Sequence, residues 1–128
     1  MDSLSIVKMF NRQLESFVDE LIGMFPEDSD FRLFKTSITL LTKTAPRKIV
    51  EIFQEYVITP YRDLLLSRDE QRILNMDFKH LEGDVDMDIV PKLKQYWTSM
   101  SESSKDAIWK YCDVLIKLSD KYHEGGVR

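Results

Sequence analysis

The sequence predicts an all-α fold, a single compact bundle of about five to six helices with mostly antiparallel neighbours. Three observations point there. Apolar residues recur at three- and four-residue intervals along most of the chain, the spacing of one helical face. The 128 residues include only four glycines and four prolines, too little punctuation for the many turns of an all-β fold. The connections between periodic segments are short, and a short connection returns the next helix alongside the last.

The first periodic stretch, Leu4 to Phe25, sets Val7, Phe10, Leu14, Phe17, Val18, Leu21 and Phe25 on one continuous face. Pro26 ends it, because the residue before a proline is pushed out of the helical region. The acidic run from Pro26 to Asp30 then supplies a turn and an N-cap. A second helix, about Asp30 to Lys43, carries Phe31, Phe34, Ile38 and Leu41 as its stripe, with Leu33 and Leu40 beside it. Thr44-Ala45-Pro46 stops that helix. Pro46 suits the first turn of a third one, where its missing N–H costs nothing, and Ile49, Ile52, Phe53, Tyr56 and Val57 follow at helical spacing.

Thr59-Pro60 is expected to break or kink the chain before a short helix from Tyr61 to Ser67. Residues 68–83 are less periodic; Ile73, Leu74, Met76, Phe78 and Leu81 anchor short helical turns within an ordered loop. Gly83 and the acidic run Asp84 to Asp88 mark the clearest internal boundary. Pro91 lies in the first turn of a fifth helix with Leu93, Tyr96, Trp97 and Met100. Ser103-Ser104-Lys105-Asp106 reads as a capping box, a serine with an acid three residues on. The last helix places Ile108, Cys112, Leu115, Leu118 and Tyr122 on one face, widened by Trp109, Tyr111 and Val114. Residues 1–124 read as one helical domain and 125–128 as a flexible C-terminal tail.

Chemistry is sparse. The single cysteine, Cys112, excludes an intrachain disulfide and fits a reducing compartment or a fold that needs no staple. The two histidines, His80 and His123, share no helical spacing with each other or with Cys112, so no metal site is expected. Asp84, Asp86 and Asp88 match positions 1, 3 and 5 of a calcium loop, but Ile89 and Gln95 stand where the glycine and the bidentate glutamate belong. No nucleophile elbow and no glycine-rich phosphate loop is present. The expectation is a chain that is not an enzyme and takes no cofactor. The N-terminus has one lysine before Phe10 and no continuous apolar run, so neither a secretory signal nor membrane insertion is expected, and the protein reads as soluble.

Charge supplies the one asymmetric signal. The net charge is −4, yet residues 31–62 hold six basic groups against two acidic ones, between acidic flanks. Arg32, Lys35, Lys43, Arg47 and Lys48 form this basic island and are the candidate contacts for a partner or anion. An acidic protein surface is the expected partner, a second copy of this chain included. Nucleic acid is the alternative, against which the small positive footprint and the acidic flanks weigh.

Three stretches carry a resemblance. They are Phe10-Asn11-Arg12-Gln13-Leu14-Glu15-Ser16-Phe17 running into Asp19-Glu20-Leu21 and Phe25-Pro26; Phe34-Lys35-Thr36-Ser37 through Leu40-Leu41 to Ala45-Pro46-Arg47, Tyr56-Val57 and Pro60-Tyr61-Arg62; and Trp97 followed by Ala107-Ile108-Trp109-Lys110-Tyr111. Together they resemble small helical proteins of unknown function encoded by nucleocytoplasmic large DNA viruses of algae and protists. The resemblance implies a virus-encoded protein in the infected host cell's cytoplasm or in the virion, with other viral proteins among its partners; joined to the sparse chemistry, the expectation is an interaction module, a minor virion or capsid-associated component. It carries no catalytic residue over to this chain.

Overall fold

The apolar face of the first stretch is almost wholly buried, and the other helices are arranged around it. A computed structural model describes residues 2–79 and 89–125. Its elements are α1 (Ser3–Met24), α2 (Ser29–Thr44), α3 (Pro46–Phe53), a π-helical turn (Gln54–Ile58), α4 (Thr59–Ser67), α5 (Glu70–Asn75), α6 (Ile89–Trp97) and α7 (Glu102–Gly125). The run from α3 through the π-turn to α4 is unbroken, so the described residues form six helices and no strand, an all-α bundle as the periodicity predicts.

Helix α1 starts at Asp2, whose Oδ1 accepts from the Ser5 backbone N–H at 2.8 Å, and stops before Phe25-Pro26. Its stripe of Ile6, Val7, Phe10, Leu14, Phe17, Val18 and Leu21 is buried. Helix α7 lies antiparallel along it. Tyr111 stacks on Phe17 at 5.2 Å between centroids, and at the opposite end Arg47 donates to Ser3 Oγ at 3.1 Å with its guanidinium 5.9 Å from the Tyr122 ring. Helix α2 returns along another side of α1, held at its start by Arg32, which donates to the Pro26 carbonyl at 2.6 Å. Helix α3 docks through Phe53, edge-to-face on Phe10 at 5.3 Å, and through buried Asn11, which donates to the Pro46 carbonyl at 3.2 Å.

Pro60 does not end a helix here. In a regular α-helix its ring would meet the carbonyl four residues back, and its missing N–H would leave that carbonyl without a donor. The preceding turn is widened to π geometry instead, with the Thr59 N–H reaching back to the Gln54 carbonyl, and the bend is taken up at Tyr61 (φ −126°, ψ 15°). The run thus leaves α1 and α2 through α3 and reaches α7 through α4, where Arg62 forms a two-pronged pair with Asp120 at 2.8 and 2.5 Å. It closes at Arg68, in the left-handed conformation (φ 54°), whose guanidinium bridges Asp106 and Asp113 of α7.

A polar and aromatic clamp attaches α6. Tyr96 stacks on Phe25 at 4.1 Å and donates its hydroxyl to Asp28 at 2.6 Å, while Lys92 reaches Asp28 at 3.2 Å and Asp30 at 2.8 Å. Asp28 is also the N-cap of α2, accepting from the Asp30 N–H at 3.0 Å. The Tyr96 hydrogen bond, with help from the Asp30 N–H and Lys92, holds the Asp28 carboxyl below the usual carboxylate range. Its partners push Lys92 up to about 12, the hydrogen bond to Asp30 being the largest cause.

Three expectations need correction. Leu33 and Leu40 are not beside the core: successive residues advance 100° around a helix, which puts both nearly opposite buried Phe31 and Ile38, and they are exposed. Val114 is likewise exposed rather than part of the α7 core face. The start of α7 lies two residues earlier than the Ser103 capping box, because Ser101 Oγ accepts the Ser104 N–H at 3.2 Å and the Ser101 carbonyl takes the Lys105 N–H.

Two outcomes follow. Phe10→Ala should lower unfolding free energy by about 3–5 kcal/mol in urea titrations, whereas Leu33→Ala should change it by less than about 0.5 kcal/mol. Asp28 has a lowered folded-state pKa, so its stabilising charge is fully present above the ordinary carboxylate range and is lost as pH falls through the folded value. Asp28→Asn should therefore lose less stability than the unsubstituted protein on going from about pH 5 to about pH 3, as read by thermal denaturation.

Candidate interaction surface

The five basic residues are not gathered into one patch. At 1.5 Å of rise per residue, Arg32 and Lys43 stand roughly 16 Å apart along α2. Arg47 and Lys48 belong to the first turn of α3. Three of the five are engaged within the fold: Arg32 with the Pro26 carbonyl, Lys35 in an ion pair with Asp19, and Arg47 with Ser3 and Tyr122. The Lys35–Asp19 pair is substantially exposed on both sides and contributes little stability. Lys43 and Lys48 are exposed and form no ion pair among the described residues.

What the structure adds is an apolar component on the same helix. Leu33 and Leu40, one heptad apart, expose 65% and 61% of their surface. Beside Leu40 lies a shallow depression between α1 and α2, lined by Ile22, Arg32, Lys35, Thr36, Thr39 and Lys43. The outer side of α2 thus presents an apolar ridge with a cationic border, a surface suited to an amphipathic acidic segment. Helical-wheel geometry applied to Leu33 and Leu40 carries this signal in the sequence, and grouping them with the core stripe hides it.

A second concavity, open to solvent on one side, runs into the bundle. An apolar cavity of about 200 Å³ is lined by side chains from all seven α-helices, among them Leu21, Ile38, Ile49, Leu65, Trp97 and Cys112. It follows the seam between the main core and a small satellite cluster around Phe78, which Val57, Tyr61 and Val90 help to build. Native interiors contain few voids larger than a water molecule.

Groups with reactive chemistry are occupied or shielded. Cys112 is half-buried by area, but its thiol lies in apolar surroundings that push it up to about 12, with the Asp113 charge a lesser cause. Ser119, a buried residue that periodicity does not single out, donates its hydroxyl to Gln54 Oε1 at 2.8 Å and so ties α7 to the π-turn. His123 lies one turn on. It is half-buried rather than exposed as its place near the chain end suggests, and its Nδ1 is 2.8 Å from the Ser119 carbonyl. The Ser119 hydroxyl, which also lies 3.4 Å from His123 Nδ1, is held by the Gln54 amide with its surface closed to solvent. At the other end of α7, Lys105 bonds Glu70 at 2.8 Å and lies 5.6 Å from the Trp97 ring, which lowers the Glu70 pKa chiefly through the Lys105 hydrogen bond and fastens α5 to the bundle.

Among the described residues no group of three or more His, Cys, Asp or Glu side chains is placed to hold a metal ion, and no helix is long and apolar enough to cross a membrane. The calcium-loop candidates Asp84, Asp86 and Asp88, and His80, lie outside the described residues. Comparisons with protein-family models, with curated proteins and with solved structures find no match to this chain.

The raised Cys112 pKa sets a reactivity test. At about pH 8 the native thiol should react with a disulfide reagent at least about tenfold more slowly than the same thiol in denaturant, followed by absorbance.

Proposed function

We propose that this chain is a non-enzymatic protein–protein interaction module that binds an acidic, amphipathic helical segment of a partner on the outer side of α2. One observation carries the proposal: Leu33 and Leu40 are exposed on α2, and Leu40 borders a depression lined by Ile22, Arg32, Lys35 and Lys43. Exposed leucines have water to gain from shedding, and cations at the border would steer an acidic partner and fix its register. The setting we propose is viral, a minor virion or capsid-associated component in the cytoplasm of an infected cell or in the particle. Its support is the pattern of Phe10–Phe17, Ala45-Pro46-Arg47 and Ala107–Tyr111 in the sequence.

Nucleic-acid binding through Arg32, Lys35, Lys43, Arg47 and Lys48 is the weaker reading. Arg32, Lys35 and Lys43 share one depression on α2, but Arg47 and Lys48 stand apart on α3, so the five do not form one continuous track. A phosphate backbone rewards several cations held free along one track.

The test uses a synthetic acidic amphipathic helix and the whole protein, followed by fluorescence anisotropy. Binding should weaken at least about tenfold in a Leu40→Glu, Lys43→Glu variant and stay within about twofold in Leu66→Glu, another exposed leucine. Equal loss in both variants, or no binding at low salt, would refute the α2 surface. Salt-sensitive DNA or RNA binding abolished by Arg47→Glu with Lys48→Glu would instead install the nucleic-acid reading.

A further inference from the structure

The interior cavity carries an inference independent of the α2 surface. Its lining is almost all hydrocarbon and aromatic carbon, contributed by every α-helix and by Val57 of the π-turn. Two lining residues, Ser37 and Lys94, have strongly polar side chains, and the lysine is spoken for: its ammonium donates to the Met76 carbonyl and lies 5.9 Å from the centre of the Phe78 ring. A charged ligand would find no free countercharge among these side chains, and water would find few partners.

We propose that this cavity is a binding site for one small, neutral, apolar molecule. The size argument sets the class: a cavity of about 150 Å³ lined by aliphatic and aromatic side chains admits benzene, so one of about 200 Å³ admits a ring with a short alkyl substituent. Position supports binding rather than mere looseness. The space runs along the seam where the Phe78 cluster meets the main core, so an occupant would touch both and join them. Kinking at Tyr61 and widening at the π-turn place Ile49, Val57, Tyr61 and Leu65 of one helical run along the same wall.

Benzene and hexanoate serve as probes with the full chain, observed by methyl NMR and thermal denaturation. Benzene should give intermolecular nuclear Overhauser effects to the methyls of Leu21, Ile38 and Ile49 and raise the melting temperature by about 3–6 °C near its solubility limit. Hexanoate should give neither. Cys112→Leu, which extends a branched side chain into the space, should weaken benzene binding at least about tenfold. Should that variant not fold, the contacts in the unsubstituted protein decide alone. Benzene contacts confined to the surface methyls of Leu33 and Leu40, no contacts at all, or hexanoate binding without benzene binding would each overturn the proposal.

Discussion

Seven apolar side chains on α1, from Ile6 to Leu21, are withdrawn from water by three neighbours: α7 along its length, α2 on another side and α3 across its N-terminal half. At about 1.5–3 kcal/mol for each fully buried side chain, that stripe contributes about 10–20 kcal/mol before chain entropy is charged against it. Exposed ion pairs such as Lys35–Asp19 and Lys110–Asp106 contribute at most about 1 kcal/mol each. The hydrophobic stripe therefore decides which helices touch α1, and the polar contacts decide how they sit. Asn11 on Pro46, Asp28 on Tyr96 and Lys92, and Ser119 on Gln54 are all of that second kind.

The surface follows from the same arrangement. Helix α2 spans 16 residues but buries only Phe31 and Ile38 fully, because α1 and α3 occupy one side of it and little covers the other. A helix used so lightly leaves its outer leucines in water, bordered by Lys43 and by Arg32 and Lys35, which are also held by the Pro26 carbonyl and Asp19. The interior cavity has a related origin. The π-turn before Pro60 and the kink at Tyr61 lie within the helical run whose Ile49, Val57, Tyr61 and Leu65 line it.

Much of this is legible in the sequence. The α1 stripe, the stop at Phe25-Pro26, Asp28 within the capping run and Pro46 at the head of α3 all follow from periodicity and local backbone chemistry, and they appear where those rules place them. Pro60 shows the limit of such rules. Proline breaks a regular α-helix, but a widened turn evades the clash, and nothing local to Thr59-Pro60 announces which outcome tertiary packing will select. The candidate surface is half legible. Arg32 to Lys48 stand out by charge, while the engagement of Arg32 by Pro26 and of Lys35 by Asp19 depends on how α2 folds back on α1. Ser119 was hidden for the same reason: a serine beside Leu118 and Tyr122 looks like a surface residue until Gln54 arrives from another helix.

Native-state hydrogen exchange tests the primacy of the α1 stripe most directly. If α1 against α7 is the organising contact, the slowest amides should lie at residues 10–21 of α1 and 108–118 of α7, opening only with global unfolding, while α6 and the outer side of α2 exchange through smaller openings. Protection in α2 or α6 equal to that of α1, or early exchange along α1 itself, would contradict the account.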